Sequence, residues 1–253
     1  MENKGINNYE ERNKELHMLL IELGIILRDV CEEEGIWYSL AFGTLLGAVR
    51  DKKIIPWDDD IDIYILYKDQ DKLRKAFEKR HYEGIVYRNH NTAPRCLQSH
   101  DTLYSLKSEK FHDVHLDIYP IIGAPSDKKK QNRLAYKWFY LDPIMRSKYV
   151  NIRDCYRKVK ASIAKVLDHC IPDAVFKSII TRAENKYDMN ETGYWMTLIC
   201  YGPNRSCFPV SFLDGVEKQE LNGEKFQVFK EWDKYLTIVF GDYMTPVKYN
   251  QYI

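Results

Sequence analysis

Apolar positions in the first part of the chain recur three and four residues apart. Leu16, Leu19, Leu20, Leu23, Ile26, Leu27 and Val30 form one stripe and predict an amphipathic helix over residues 9–34, stopped by Gly35. The period then changes. Residues 36–42 are apolar and aromatic but for Ser39, the pattern of a buried strand, and Gly43-Thr44 opens a short helix over 45–50 that Thr44 can cap. A polar turn ending at Pro56 leads into strict alternation. On a strand over 59–66, Asp60, Asp62 and Tyr64 share one face and Ile61, Ile63 and Ile65 share the other. Residues 68–80 read as a helix. Short Tyr-rich extended pieces follow, among them 114–118 before Pro120. Helices dominate 127–187, one of them starting at Pro172, and a last helix is predicted over 232–240.

Strands early and helices late predict an α+β (or α/β) fold, a mixed-sheet core with a helical appendage. No internal repeat, low-complexity tract or Gly/Ser linker divides the chain. A single domain over 1–253 is therefore expected, with a catalytic core at about 9–125, a helical region at about 126–190 and a C-terminal portion at 191–253. Hydrophobic residues make up 45% of the 253, enough for a core, which excludes disorder. The longest apolar stretch, 19–27, is interrupted by Glu22 and falls short of the roughly 18 residues a membrane span needs. The N-terminus lacks the apolar centre of a signal peptide, and the six cysteines form no C-x-x-C pair. A thiol-reduced cytoplasmic protein is the expectation.

A net charge of +1 gives no global field that would favour nucleic acid. Locally the balance is uneven. Residues 128–165 hold twelve Lys/Arg against Asp142 and Asp154. The plain explanation is a solvated helical face. The functional one is peripheral contact with an anionic membrane at its inner face, where each basic residue gains roughly 1 kcal/mol.

The chemistry concentrates in residues 40–65. Asp60 and Asp62 leave one strand face about 6.6 Å apart, at ~3.3 Å per residue, close enough to reach one divalent cation or two adjacent ones. Asp58 extends the row. The isoleucines opposite imply burial, and crowded carboxylates there resist both desolvation and one another. The natural counter-charge is Mg²⁺ or Mn²⁺, which prefer oxygen ligands. A strand ending in Gly43-Thr44 and turning into a helix offers backbone N–H groups to an anion, with Arg50, Lys52 and Lys53 between it and the acidic row. Together these are the parts for metal-assisted phosphoryl transfer. Asp117, between Leu116 and Ile118, is the best third carboxylate, with Asp113 and His115 on its face as possible helpers. Trp57, beside Asp58, and Trp37, Tyr64 and Tyr119 are candidates for an aromatic cage around a quaternary ammonium, or plain core residues. No H-E-x-x-H, G-x-S-x-G or G-x-G-x-x-G motif is present.

Trp-Tyr-Ser-Leu-Ala-Phe-Gly-Thr-Leu-Leu-Gly-Ala-Val-Arg followed by Ile-Ile-Pro-Trp-Asp-Asp-Asp-Ile-Asp-Ile resembles the signature of the LicD family, which has a nucleotidyltransferase fold and is similar in its core motif to fukutin-related glycan-modifying enzymes. The likeness is close over residues 31–65, returns at Leu116-Asp117-Ile118-Tyr119-Pro120 and Phe240-Gly241-Asp242-Tyr243-Met244, and is absent over 127–202. It implies a metal-dependent phosphotransferase moving phosphocholine from CDP-choline, or a related CDP-alcohol, onto a hydroxyl of a glycan or lipid-linked glycan such as a lipopolysaccharide or teichoic acid precursor. By that likeness Gly43 and Thr44 hold phosphate, Asp60 and Asp62 are paired metal ligands, and Asp117 is the third acidic residue, as ligand or base. Asp58 matches an acidic position of the signature. Arg50 and Trp57 are assigned to substrate binding. Two alternatives stand beside this one: nucleotidyl transfer onto a small molecule or protein, and a catalytically silent module that binds a nucleotide or glycan.

Overall fold

In the computed structural model, which describes residues 4–89, 100–146 and 170–246, the N-terminal stripe forms one long helix, α1 (Lys4–Glu34). Leu16, Leu20, Leu23, Leu27 and Val30 are buried on it, and Gly35 ends it in the left-handed region (φ 61°). There follow β1 (Tyr38–Leu40), α2 (Phe42–Arg50), β2 (Asp60–Leu66), a 3₁₀ turn at Tyr67–Asp69 and α3 (Gln70–Lys79). Next come β3 (Ile85–Arg88), β4 (Asp101–Ser105), β5 (Val114–Gly123) and α4 (Lys128–Arg146). After the undescribed 147–169, the elements are α5 (Asp173–Glu184), α6 (Met189–Thr192), β6 (Tyr194–Met196), β7 (Cys207–Pro209), β8 (Val216–Leu221), β9 (Glu224–Phe229) and α7 (Trp232–Phe240). The fold is α+β.

The described residues pack as two compact units, one of 4–89, 100–120 and 213–232 and the other of 121–146, 170–212 and 233–246. The first carries strands in the order β1-β2-β5-β4-β3, with α1, α2 and α3. Pairing is antiparallel for β1–β2, β3–β4 and β4–β5, and Thr102 of β4 stands opposite Asp117 of β5. In the second unit, Ile122 and Gly123 at the end of β5 pair with β6, and β6 with β7. Its core holds Trp138, Phe176, Trp195, Phe208 and Tyr235, with the Phe208 and Tyr235 rings 4.9 Å apart. Gly241 closes α7 at φ 74°, and the Tyr243 hydroxyl donates back to Asp233.

The structure corrects three local expectations. Strand β1 ends at Leu40 rather than 42, because Phe42 adopts φ 44° and turns the chain directly into α2. Ala41 is therefore the N-cap, and Thr44, inside the helix, does not cap it. Strand β5 runs through Pro120 instead of stopping before it. The proline lies between the residues that pair with β4 (114–118) and those that pair with β6 (122–123), where its missing N–H breaks neither of those ladders. Pro172 precedes its helix as the N-cap residue. The basic segment beyond residue 146 lies outside the described residues.

Two contacts hold the α2–β2 connection in shape. Gly47 O accepts from Asp51 N–H and Lys53 N–H, folding the chain back so closely that a Cβ on Gly47 would lie 2.4 Å from Lys53 O. From the far end of the chain, Asn222 at the tip of the β8–β9 hairpin donates its N–H to Lys52 O (2.9 Å), and its Oδ1 accepts from Ile54 N–H (2.8 Å). The same hairpin lies along β1: Gln227 Nε2 donates to Tyr38 O (2.6 Å), and Phe229 N–H donates to Ser39 Oγ (3.1 Å). Gly47→Ala should accordingly destabilise the protein by about 1–3 kcal/mol, the usual range for an overpacked contact. Urea denaturation checks this, and an unchanged midpoint would contradict the close approach.

Candidate active site

The β2 alternation places Asp60 and Asp62 on one face, and β5, next to β2 in the sheet, brings Asp117 alongside them. Each acidic position is tied to its surroundings through the backbone or a neighbour. Thr44 Oγ1 accepts the Asp62 N–H (2.9 Å), so the hydroxyl expected to hold phosphate pins the acidic strand to α2. Ala41 N–H donates to Asp62 O (2.9 Å) from the other end of the same junction. The turn carrying Trp57 and Asp58 is gripped by two polar residues on the buried face of α1: Asn13 Nδ2 donates to Pro56 O (3.0 Å), and His17 Nε2 lies 2.9 Å from Asp58 O.

The first intrahelical bond of α2 runs from Leu45 N–H to Ala41 O, so the helix supplies no acceptor for the N–H groups of Gly43 and Thr44. Gly43 faces Asp58 so closely that a Cβ there would sit 3.0 Å from Asp58 Oδ2. Asp58 and this helix terminus therefore share one volume. Phe42 bridges the cluster's aromatic wall, its ring 5.0 Å from both Tyr64 and Tyr119 in edge-to-face contacts. A bulky residue at positive φ is strained, and here the strain sits where β1 turns into α2 beside the acidic cluster. Arg50 pairs with Asp51 (Nη2–Oδ2 2.6 Å) and also lowers Asp58 electrostatically, which places its charge near the row. Trp57 is half-buried beside Asp58.

Asp117 is the best-partnered of the carboxylates. Thr102 Oγ1 donates to its Oδ1 (2.9 Å), the Tyr119 hydroxyl donates to its Oδ2 (3.2 Å), and buried His100 Nε2 lies 3.1 Å from that oxygen. Burial alone would raise its pKa; the charge and contact of His100, with His115 and Thr102, more than offset this and hold it at about 2. The other three move upward. Burial, then Asp60 and Asp59, push Asp58 up to about 7. Burial, then Asp117, push Asp60 up to about 6, and burial with Asp60, Asp117 and Asp58 raises Asp62. His115 joins this cluster. Asp60, His115 and Asp117 each present a ligand atom, all within 4.8 Å of one another. Asp113 stays exposed, and its backbone carbonyl accepts from His115 Nδ1 (3.1 Å).

Asn13, His17, His100 and Thr102 are absent from the set read off the sequence. Carboxylates that resist ionisation because they are buried and crowded, with an imidazole among them, are a donor set that fits a divalent cation: Asp60, Asp117 and His115 present ligand atoms close enough to share one. Asp62, expected as a paired ligand, feels Asp60 and Asp117 electrostatically but lies outside that set.

Residues 35–151 match the family described as LicD/FKTN/FKRP, nucleotidyltransferase domain. Over this segment the chain is similar to the LicD family. The chain is 25% identical over 233 residues to the "Lipopolysaccharide cholinephosphotransferase LicD" of Haemophilus influenzae, covering 85% of this chain and 84% of that one. It is also similar to two uncharacterized Rickettsia proteins. The R. typhi protein is 33% identical over 98 residues (36% of this chain, 30% of that one), and the R. prowazekii protein 38% over 94 residues (36% and 34%). The LicD-family segment contains α2, β2 and β5, hence all of the acidic cluster, but leaves out α1 and the β8–β9 hairpin that brace it.

The pKa directions in this acidic cluster set its pH response. A carboxyl whose folded value lies above its unfolded value stabilises the fold fully below the unfolded value, and that contribution is lost as pH rises through the folded one. With Asp58 at about 7 and Asp60 at about 6, the ion-free protein should lose stability as pH rises from about 4 toward 7. Asp117, depressed to about 2, works oppositely: its contribution is present above about pH 4 and is lost as pH falls toward 2. Asp58→Asn, which cannot ionise, should melt a few degrees above the parent at about pH 8 and nearly match it at about pH 4.5. Thermal melts in chelator check this, and an equal offset at both pH values would refute the repulsion.

Proposed function

We propose that the protein is a divalent-metal-dependent phosphotransferase that moves a phospho-alcohol group, foremost phosphocholine from CDP-choline, onto a hydroxyl of a lipopolysaccharide or related glycan precursor. The observation that carries this is the convergence of Asp58, Asp60, Asp62 and Asp117 beside the N-terminus of α2. The match to the LicD family over residues 35–151 and the cholinephosphotransferase relative support the transferase class and suggest choline and lipopolysaccharide.

A bound divalent ion would neutralise the charge of the donor pyrophosphate. The protein's own groups do the rest. Gly43 and Thr44 N–H point their dipoles at a phosphate oxygen, and Gly43 has no side chain to keep that oxygen away. Arg50, held beside Asp51, is a second cation for the donor. Asp117, with two hydroxyl donors and His100 against it, is suited to stay an ionised ligand rather than to take up a proton. The acceptor hydroxyl oxygen forms the new bond to the phosphorus bearing the alcohol and gives up its proton to solvent, while the bond to the CMP phosphate breaks and CMP leaves with that electron pair. Attack at the nucleotide's own phosphorus would instead deposit CMP on the acceptor.

Asp60→Asn and Asp62→Asn should each lower CMP release from CDP-choline by at least about a hundredfold while leaving the far-ultraviolet circular dichroism unchanged. Mass spectrometry of the acceptor should find added phosphocholine. An added nucleotide monophosphate would replace the proposal with nucleotidyl transfer. Full turnover by both variants would remove the site. Tight donor binding with no turnover under any divalent ion would favour a silent binding module.

No helix among the described residues is long and apolar enough to cross a membrane. Lys128, Lys129, Lys130, Arg133 and Lys137 are exposed along α4 and give the basic region a surface suited to anionic lipid. Replacing all five by Gln should reduce flotation with phosphatidylglycerol vesicles at low salt. Flotation equal to the parent's would rule this face out.

A further inference from the structure

We infer that His115 binds the divalent ion directly through Nε2, and that this nitrogen makes the site prefer Mn²⁺ to Mg²⁺. The inference rests on the acidic cluster being an ion site, and adds to it a ligand and a selectivity.

Three observations carry it. The first is distance. One ring nitrogen of His115 and one carboxylate oxygen each of Asp60 and Asp117 lie within 4.8 Å of one another, close to the span of about 3–4.4 Å that two ligands of one ion show at bond lengths near 2.2 Å. The second is the tautomer. A backbone carbonyl can only accept, so the 3.1 Å contact from His115 Nδ1 to Asp113 O places the ring proton on Nδ1 in the neutral imidazole. The Nε2 lone pair is then available, with the ring oriented by the carbonyl behind it, as metal-binding histidines commonly are. The third is support for the ring plane. Tyr104 stands opposite His115 across the β4–β5 ladder, and its ring lies 5.9 Å away at an angle of 32°.

Selectivity follows from ligand chemistry. An all-oxygen carboxylate set suits Mg²⁺, Ca²⁺ and Mn²⁺ alike, whereas an imidazole nitrogen adds affinity for first-row transition ions and little for Mg²⁺. Among the ions that accept both donor types, Mn²⁺ is the probe that reports directly on nitrogen.

Pulsed electron paramagnetic resonance of the full chain loaded with Mn²⁺ should show ¹⁴N coupling that disappears in His115→Gln and in His115→Ala. Calorimetry should find Mn²⁺ bound at least about tenfold more tightly than Mg²⁺ by the parent, with His115→Gln losing roughly that factor for Mn²⁺ and under about threefold for Mg²⁺. Asp60→Asn should weaken both ions, which separates loss of the site from loss of the preference. Nitrogen coupling that persists in both His115 variants, equal affinity of the parent for the two ions, or no Mn²⁺ binding at all would overturn the inference. Nitrogen coupling without CMP release from any CDP-alcohol would leave the ligand assignment standing and remove phosphotransfer. CMP release with no nitrogen coupling would do the reverse.

Discussion

Like charge forced together is the constraint on which the rest of this fold depends. Asp58, Asp60, Asp62 and Asp117 are crowded together, and burial first, then repulsion from neighbouring carboxylates, raises the pKa of Asp58, Asp60 and Asp62. Left to the side chains alone, the cluster would spread toward water. The protein prevents this by fixing the backbone instead. Thr44 and Ala41 hold Asp62, Asn13 and His17 hold the turn before Asp60, and Thr102 holds Asp117 across a strand pair. The frame thereby keeps the carboxylates together despite their repulsion.

That arrangement divides labour among the carboxylates. Asp117 sits among donors and a histidine and is stable as an anion, while for Asp58, Asp60 and Asp62 burial and neighbouring carboxylates outweigh the nearby donors and cations. Chemically identical side chains thus acquire different electrostatic tasks from their surroundings. Which neighbours each one has is decided by strand register, so Thr102 opposite Asp117 matters as much as Asp117 itself.

The sequence made the acidic strand legible because two periods agree there: aspartates on one side of β2 and isoleucines on the other leave no second way to pleat it. The first and last helices were legible for the same reason. The start of α2 was not. A threonine after a glycine looks like a cap, and nothing local announces that a phenylalanine will take positive φ and begin the helix earlier. His100 and Thr102 lie seventeen and fifteen residues before Asp117 and reach it only through the β4–β5 pairing, which a single sequence does not specify. Asn13 and His17 did leave a trace, since they share the buried stripe with Leu16 and Leu20, where polar residues call for partners. Asn222-Gly223 was likewise a readable hairpin turn, but nothing in it says that its tip will grip a loop 170 positions earlier.

That grip alters what counts as the smallest working piece of this molecule. The segment shared with the family begins after α1 and ends well before the hairpin, yet both seal its flanks. Ser39, Tyr38 and the 52–54 loop would lose their hydrogen-bonding partners in an excised fragment, and the leucines of α1 would leave bare the face they cover. Early and late stretches of polypeptide must therefore meet before the loop ahead of β2 acquires its form, so a ribosome-bound nascent chain that stops short of residue 214 would carry every acidic side chain and still lack the braces around them.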